Sequence, residues 1–216
     1  MDTDDFVKLL AANGASPHPR AGPGLGLRFA GMAALGVAVA AGVMVLEFGI
    51  RTWYGNDLEG AMYWVRLAFV GLVGASGLAM AWRLAHPGMP LARWPLGVWL
   101  PLVSMAALAM QVLVAAPADA RESLVFGSTW KVCTFNIVTL AVPVFAALVV
   151  ALRHGAPTDL RRTGAAAGFA AGGLGAVVYT LHCPELAAPF LAIWYGLGML
   201  VPAAVGALLG PKLLRW

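Results

Sequence analysis

The sequence predicts an all-α integral membrane protein, a six-transmembrane-helix bundle with both termini on the cytoplasmic side. Three observations carry that reading. Of 216 residues, 61% are hydrophobic and 11% charged, with a mean hydropathy of +0.81, whereas a soluble domain carries charge on roughly a quarter of its residues. The apolar residues fall into six runs, each close to the ~20 residues that a bilayer requires. Ten of the fourteen Lys and Arg fall on one side of the resulting topology, and basic loops stay in the cytoplasm.

Residues 1–13 predict a short amphipathic helix. Asp2, Asp4 and Asp5 suit a helix N-terminus, Phe6, Leu9 and Leu10 share a face, and Asn13-Gly14 ends it. The acidic start is the opposite of a signal-peptide n-region, so Ala38-Val39-Ala40 reads as part of a retained span, not a cleavage site. Residues 14–26 (GASPHPRAGPGLG) predict a Gly/Pro linker.

The six spans are Leu27–Leu46, Met62–Trp82, Pro95–Val114, Thr134–Leu152, Gly164–Leu181 and Ala187–Leu209. Gly164, Gly168 and Gly172 recur every four residues on the fifth, and Gly206 and Gly210 on the sixth. Such small-xxx-small patterns let a neighbouring backbone approach closely. Pro143 and Pro202 interrupt the hydrogen-bond ladders of the fourth and sixth spans. The basic side carries Lys8, Arg20, Arg28, Arg83, Arg93, Arg153, Arg161, Arg162, Lys212 and Arg215. Arg51, Arg66, Arg121 and Lys131 lie opposite. The net charge of +4 therefore reflects topology, and no basic run is long enough to argue for direct nucleic-acid binding.

Polar chemistry is sparse. No nucleophile elbow, P-loop, HExxH motif or carboxylate pair occurs, which argues against an enzyme. No acidic or histidine relay crosses the membrane, which weighs against a proton-coupled transporter. Glu47 with Arg51, and Arg66, lie at the outer ends of the first two spans; ligands or gates are one reading, and interfacial anchors or a Glu47–Arg51 pair the favoured one. Met44, Met62 and Met110 lie towards the outer half, where methionine is usually filler.

The two cysteines are the most informative residues. Cys133 precedes Arg153 by twenty positions and Cys183 follows Thr163 by twenty, so both lie ~30 Å from the inner turn between their spans. They share one level, at the outer face, where disulfides persist. Three readings stand side by side: inert buried thiols, a structural disulfide, and a sensor. The sensor is either a dithiol that oxidises or a soft-metal site. His182 offers a third ligand and Glu185 a weaker fourth, a set suited to transient binding of Cu, Cd or Zn. No cofactor is required. A second functional class, a small metal transporter or metal-export accessory, would use the same thiols and the outer methionines.

Several motifs together carry a family resemblance that covers essentially the whole chain. They are Thr3-Asp4-Asp5 with Leu9-Leu10, Trp130-Lys131-Val132-Cys133, and Leu152-Arg153-His154-Gly155-Ala156-Pro157-Thr158. Gly164 through Gly172, Tyr179, His182-Cys183, Trp194-Tyr195 and the terminal Leu214-Arg215-Trp216 complete the set. The chain resembles the NrsF family, negative regulators of the extracytoplasmic-function sigma factor sigma-F in proteobacteria. The resemblance implies a multi-pass anti-sigma factor of the bacterial inner membrane, which holds its sigma factor and releases it when periplasmic cysteines meet heavy metal or oxidant. Cys133 and Cys183 occupy the positions of the family's cysteine pair. On this reading residues 1–26 are the cytoplasmic sigma-binding segment and linker, and 27–216 the transmembrane domain. Asp4, Asp5, Phe6, Leu9 and Leu10 are the candidate sigma contacts, because a helix this short orders best on a partner.

Overall fold

The structure, a computed structural model, describes residues 2–14, 23–49 and 60–215. Every regular element among them is helical. Helix α1, Thr3–Gly14, carries Asp4 and Asp5 in its first turn, and the Asp2 carbonyl accepts the Asp5 and Phe6 N–H groups. Helix α2, Pro23–Val43, continues as a π-helical turn, Met44–Phe48. The linker expected to reach residue 26 therefore gives way to helix at Pro23. A proline tolerates the first helical position because its missing N–H would have no partner there.

Helices α3 (Ala61–Leu84), α4 (Trp94–Ala115) and α6 (Trp130–Leu152) match the expected spans to within a few residues. A short helix that the hydropathy pattern does not reveal, α5 (Ala118–Phe126), joins α4 to α6. Helix α7 spans Leu160–Tyr179, and α8 runs Ala188–Leu213 with a π-helical segment at Leu191–Tyr195.

Five stretches are long and apolar enough to cross a membrane: α2 with its π turn, α3, α4, the α5–α6 stretch and α8. Helix α7, the expected fifth span, is not among them. Its glycines, Arg161 and Arg162 hold its hydropathy down, and it sits at the bundle centre with thirteen of its twenty residues buried. It packs against α8, α3 and α6, while α2 lies on α6 and α4 on α3. A helix surrounded by protein does not need a lipid-compatible surface.

Glycine makes that central position possible. A Cβ at Gly168 would run into the Pro202 carbonyl oxygen, and one at Gly164 into that of Gly206. On another face Gly173 meets the backbone of Gly74, and Gly77 that of Ala170. The small-residue pattern of the sequence is the α7–α8 seam, and a second seam joins α7 to α3. Pro143 and Pro202 both lie inside continuous helices.

The end of the bundle remote from the cysteines is tied by caps. Asp159 caps α7, its Oδ1 accepting the Arg162 N–H at 3.0 Å. Arg153 Nε donates to the Leu213 carbonyl at 2.6 Å, and the Ala156 N–H donates to the Ala85 carbonyl at 2.9 Å.

Candidate functional site: a buried thiol pair under a guanidinium clamp

At the opposite end α6 begins, α7 ends and α8 begins, so three chain segments converge there. Cys133 lies in the first turn of α6, and Cys183 in the turn that follows α7. Both are free and buried. The geometry brings the expected pair together: the two thiols are close enough to interact directly.

Several groups fix the Cys183 turn. Thr129 Oγ1 lies 3.8 Å from Cys183 Sγ. Tyr195, at the end of the π-helical segment, is fully buried, and its hydroxyl lies near Cys183 without a hydrogen-bond partner among the described residues. Asn136 Nδ2 donates to the Tyr179 hydroxyl at 3.3 Å, and the Tyr179 and Tyr195 rings lie 6.0 Å apart. The adjacent Cys133 thiol holds the Cys183 thiol below its ordinary range. Burial opposes that shift, and the Glu185 backbone N–H adds to it.

Arg66 is the residue that sequence reasoning misplaces. It is 2% exposed, not an interfacial anchor. From α3 its Nη1 donates to the carbonyls of Cys183 and Glu185, both at 2.9 Å, and its Nη2 to that of Thr180 at 3.2 Å. A cation at a helix C-terminus meets the negative end of the dipole and carbonyls that lack intrahelical partners. An arginine inside an apolar run was the available signal.

Glu185, the expected fourth metal ligand, is engaged elsewhere. Its Oε1 accepts the Ser128 N–H at 2.7 Å and the Ser128 hydroxyl at 2.6 Å. His182 donates Nδ1–H to the Gly49 carbonyl at 3.1 Å and packs between Phe48 and Tyr179. Among the described residues no three His, Cys, Asp or Glu are grouped to hold a metal ion. The expected Cys133–Cys183–His182 ligand set is thus not assembled, and the two thiols stand as a pair. Zn and Cd favour four ligands, so a two-thiol site fits a soft ion of low coordination number, or thiol oxidation, better than either.

The π-helical segment also serves this end. The Trp194 carbonyl accepts Thr134 Oγ1 at 3.0 Å, and the indole N–H of Trp194 donates to the Val125 carbonyl at 2.8 Å. Trp194 thereby joins α5, α6 and α8 in an aromatic cluster with Phe126 and Trp130. Of the outer methionines, Met44 is buried, Met62 is partly buried and Met110 is exposed. Glu47 is exposed, and Arg51 lies outside the described residues.

On α1, Phe6 and Leu9 are half exposed, and Asp4 and Asp5 are exposed. The side chain of Leu10 lies outside the described residues. Nothing in the bundle covers the described apolar side of this helix.

The chain matches the family described as NrsF, negative regulator of sigma F, over residues 11–216. A protein of Azospira oryzae described as a probable anti-sigma-F factor NrsF is 42% identical over 216 residues, spanning the whole of both chains. The anti-sigma-F factor NrsF of Caulobacter vibrioides is 36% identical over 221 residues, again with full coverage of both. No solved structure matches.

Proposed function

The chain belongs to the NrsF family of negative regulators of sigma F, and on that premise we propose that it is an inner-membrane anti-sigma factor governed by its thiol pair. It holds a sigma factor of the extracytoplasmic-function type, sigma-F, at the cytoplasmic face. It releases that factor when Cys133 and Cys183 are oxidised to a disulfide or captured by a thiophilic metal ion. In the oxidative version two thiols lose two protons and two electrons to a two-electron oxidant, and one S–S bond forms. The protein itself is a regulator with no catalytic role.

The observation that carries this reading is the contact between Cys133 and Cys183, two thiols on different segments that meet at one end of the bundle. All six helices from α2 to α4 and α6 to α8 cross the membrane on this account, with α7 sheltered by its neighbours. The ten-to-four split of basic residues supports cytoplasmic termini and a periplasmic thiol pair. Helix α1 then faces the cytoplasm. Its exposed Phe6 and Leu9, together with Leu10, supply the apolar contacts of a helix-in-groove complex, and Asp4 and Asp5 meet basic protein surface. The acidic first turn disfavours rest on the negative inner leaflet.

A disulfide supplies a large part, though not all, of the energy that a full inversion needs. Inverting a two-state equilibrium from 1:99 to 99:1 takes about 5.5 kcal/mol. A disulfide between packed segments contributes about 2–4 kcal/mol. The glycine seams carry the shift, because closely packed backbones translate together where side-chain-padded helices would absorb the motion.

The test is recovery from solubilised membranes. A tagged chain should retain its sigma factor, and one lacking residues 1–13 should not. A stably inserted full-length chain that retains no sigma factor would refute the reading, as would undiminished retention after the deletion for the role given to α1.

A further inference from the structure

Arg66 reaches the thiol pair from α3, a helix that contributes neither thiol. Burying a guanidinium is costly unless its N–H groups find acceptors. Here Nη1 and Nη2 satisfy three carbonyls of the Cys183 turn, and the guanidinium carbon stands 5.2 Å from the Tyr63 ring centroid. Only Nε lacks a partner. Among the described residues no carboxylate forms an ion pair with Arg66, and the nearby Glu185 carboxylate is committed to Ser128. The positive charge is therefore set against carbonyl dipoles and an aromatic face.

We propose that Arg66 is the positioning residue of the thiol pair. It folds the Cys183 turn back over the end of α7, so that Cys183 meets Cys133. The clamp explains why the Glu185 backbone N–H points at Cys183: Arg66 grips the carbonyls of both residues, which fixes the intervening backbone. It also links the thiols to the far end of the bundle. Helix α3 is seamed to α7 through Gly74 and Gly77, and the Ala85 carbonyl just beyond it holds Ala156. This role deepens the sensor reading and rests on it for its biological purpose, but the chemistry is measurable without it.

The clamp is tested by disulfide yield with diamide on reduced full-length protein in detergent, read by mass spectrometry, with thermal unfolding of the same samples alongside. Arg66→Lys keeps the charge but cannot span three carbonyls, and its disulfide yield should fall at least about threefold while the protein stays folded and monodisperse. Arg66→Met makes none of the three bonds and should lower the yield further. An unchanged disulfide yield in Arg66→Lys overturns the clamp, as does a yield that falls only where the folded protein is lost. If Arg66→Met does not insert, the Arg66→Lys yield decides alone. A normal stress response in a Cys133→Ser, Cys183→Ser chain would defeat the sensor reading while leaving these thiol measurements intact.

Discussion

One carboxylate oxygen of Glu185 accepts both the backbone N–H and the hydroxyl of Ser128, at 2.7 and 2.6 Å across 57 residues of chain. This closes the Cys183 turn onto the N-terminal end of α6, next to Cys133. Hydrogen bonds to a charged acceptor are stronger than neutral ones, although solvent access here reduces their worth. Glu185→Ala should lower stability by about 1–2 kcal/mol in thermal unfolding of the solubilised protein, and Glu185→Gln should recover part of it. The neighbouring Gly127 has φ +51°, and a Cβ there would lie 2.6 Å from Glu185 Oε2. Gly127→Ala should therefore cost more than the loss of the carboxylate. Equal melting of all three variants and the unaltered protein would remove this tie from the account.

The α7–α8 seam predicts a position-specific response to added volume. Gly168→Val drives a side chain into the Pro202 backbone and should cost about 3 kcal/mol or more, seen as degradation or loss of the monodisperse solubilised species. Gly71→Ala on α3 meets nothing within 4 Å and should leave insertion and melting unchanged. Similar behaviour of the two variants would show that α7 is not locked at the bundle centre.

Topology is checked by reporter fusions. Fusions after Trp216 and near Pro157 should read as cytoplasmic, and one near Asp119 as periplasmic. A periplasmic signal at Trp216 would place the thiol pair in the reducing compartment and remove the basis for redox sensing.

Helix α1 carries the prediction about sequestration. Changing Leu9 and Leu10 to Asp should switch on the sigma-dependent genes without stress, with the chain still stably inserted. Silent genes would move the contact to the basic loops around Arg83–Arg93 and Arg153–Arg162.

Much of this architecture was legible in the sequence, because long apolar helices announce themselves through local composition. The second span, expected at 62–82, is Ala61–Leu84. The glycine repeats pointed to close packing, and twenty-residue spacings put Cys133 and Cys183 at one level. Illegible were the features that close over long separations. Arg66 reads as an anchor until α3 is placed beside the end of α7, 117 residues away. His182 and Glu185 read as ligands because proximity in sequence to Cys183 suggests proximity of function. Their side chains instead satisfy Gly49 and Ser128, on other segments. Helix α5 lacks an apolar stripe, and only Pro117 before it and Gly127 after it marked its ends.

The most direct test is release of sigma factor from the purified complex by thiol oxidation. The unaltered chain and a Cys133→Ser, Cys183→Ser chain are each recovered with bound sigma factor under reducing conditions, then exposed to diamide. Fraction released is measured alongside disulfide formation by mass spectrometry. The account predicts release from the unaltered chain in step with a Cys133–Cys183 bond, and continued retention by the double variant. Equal release from both, or a formed disulfide with the sigma factor still bound, would contradict it.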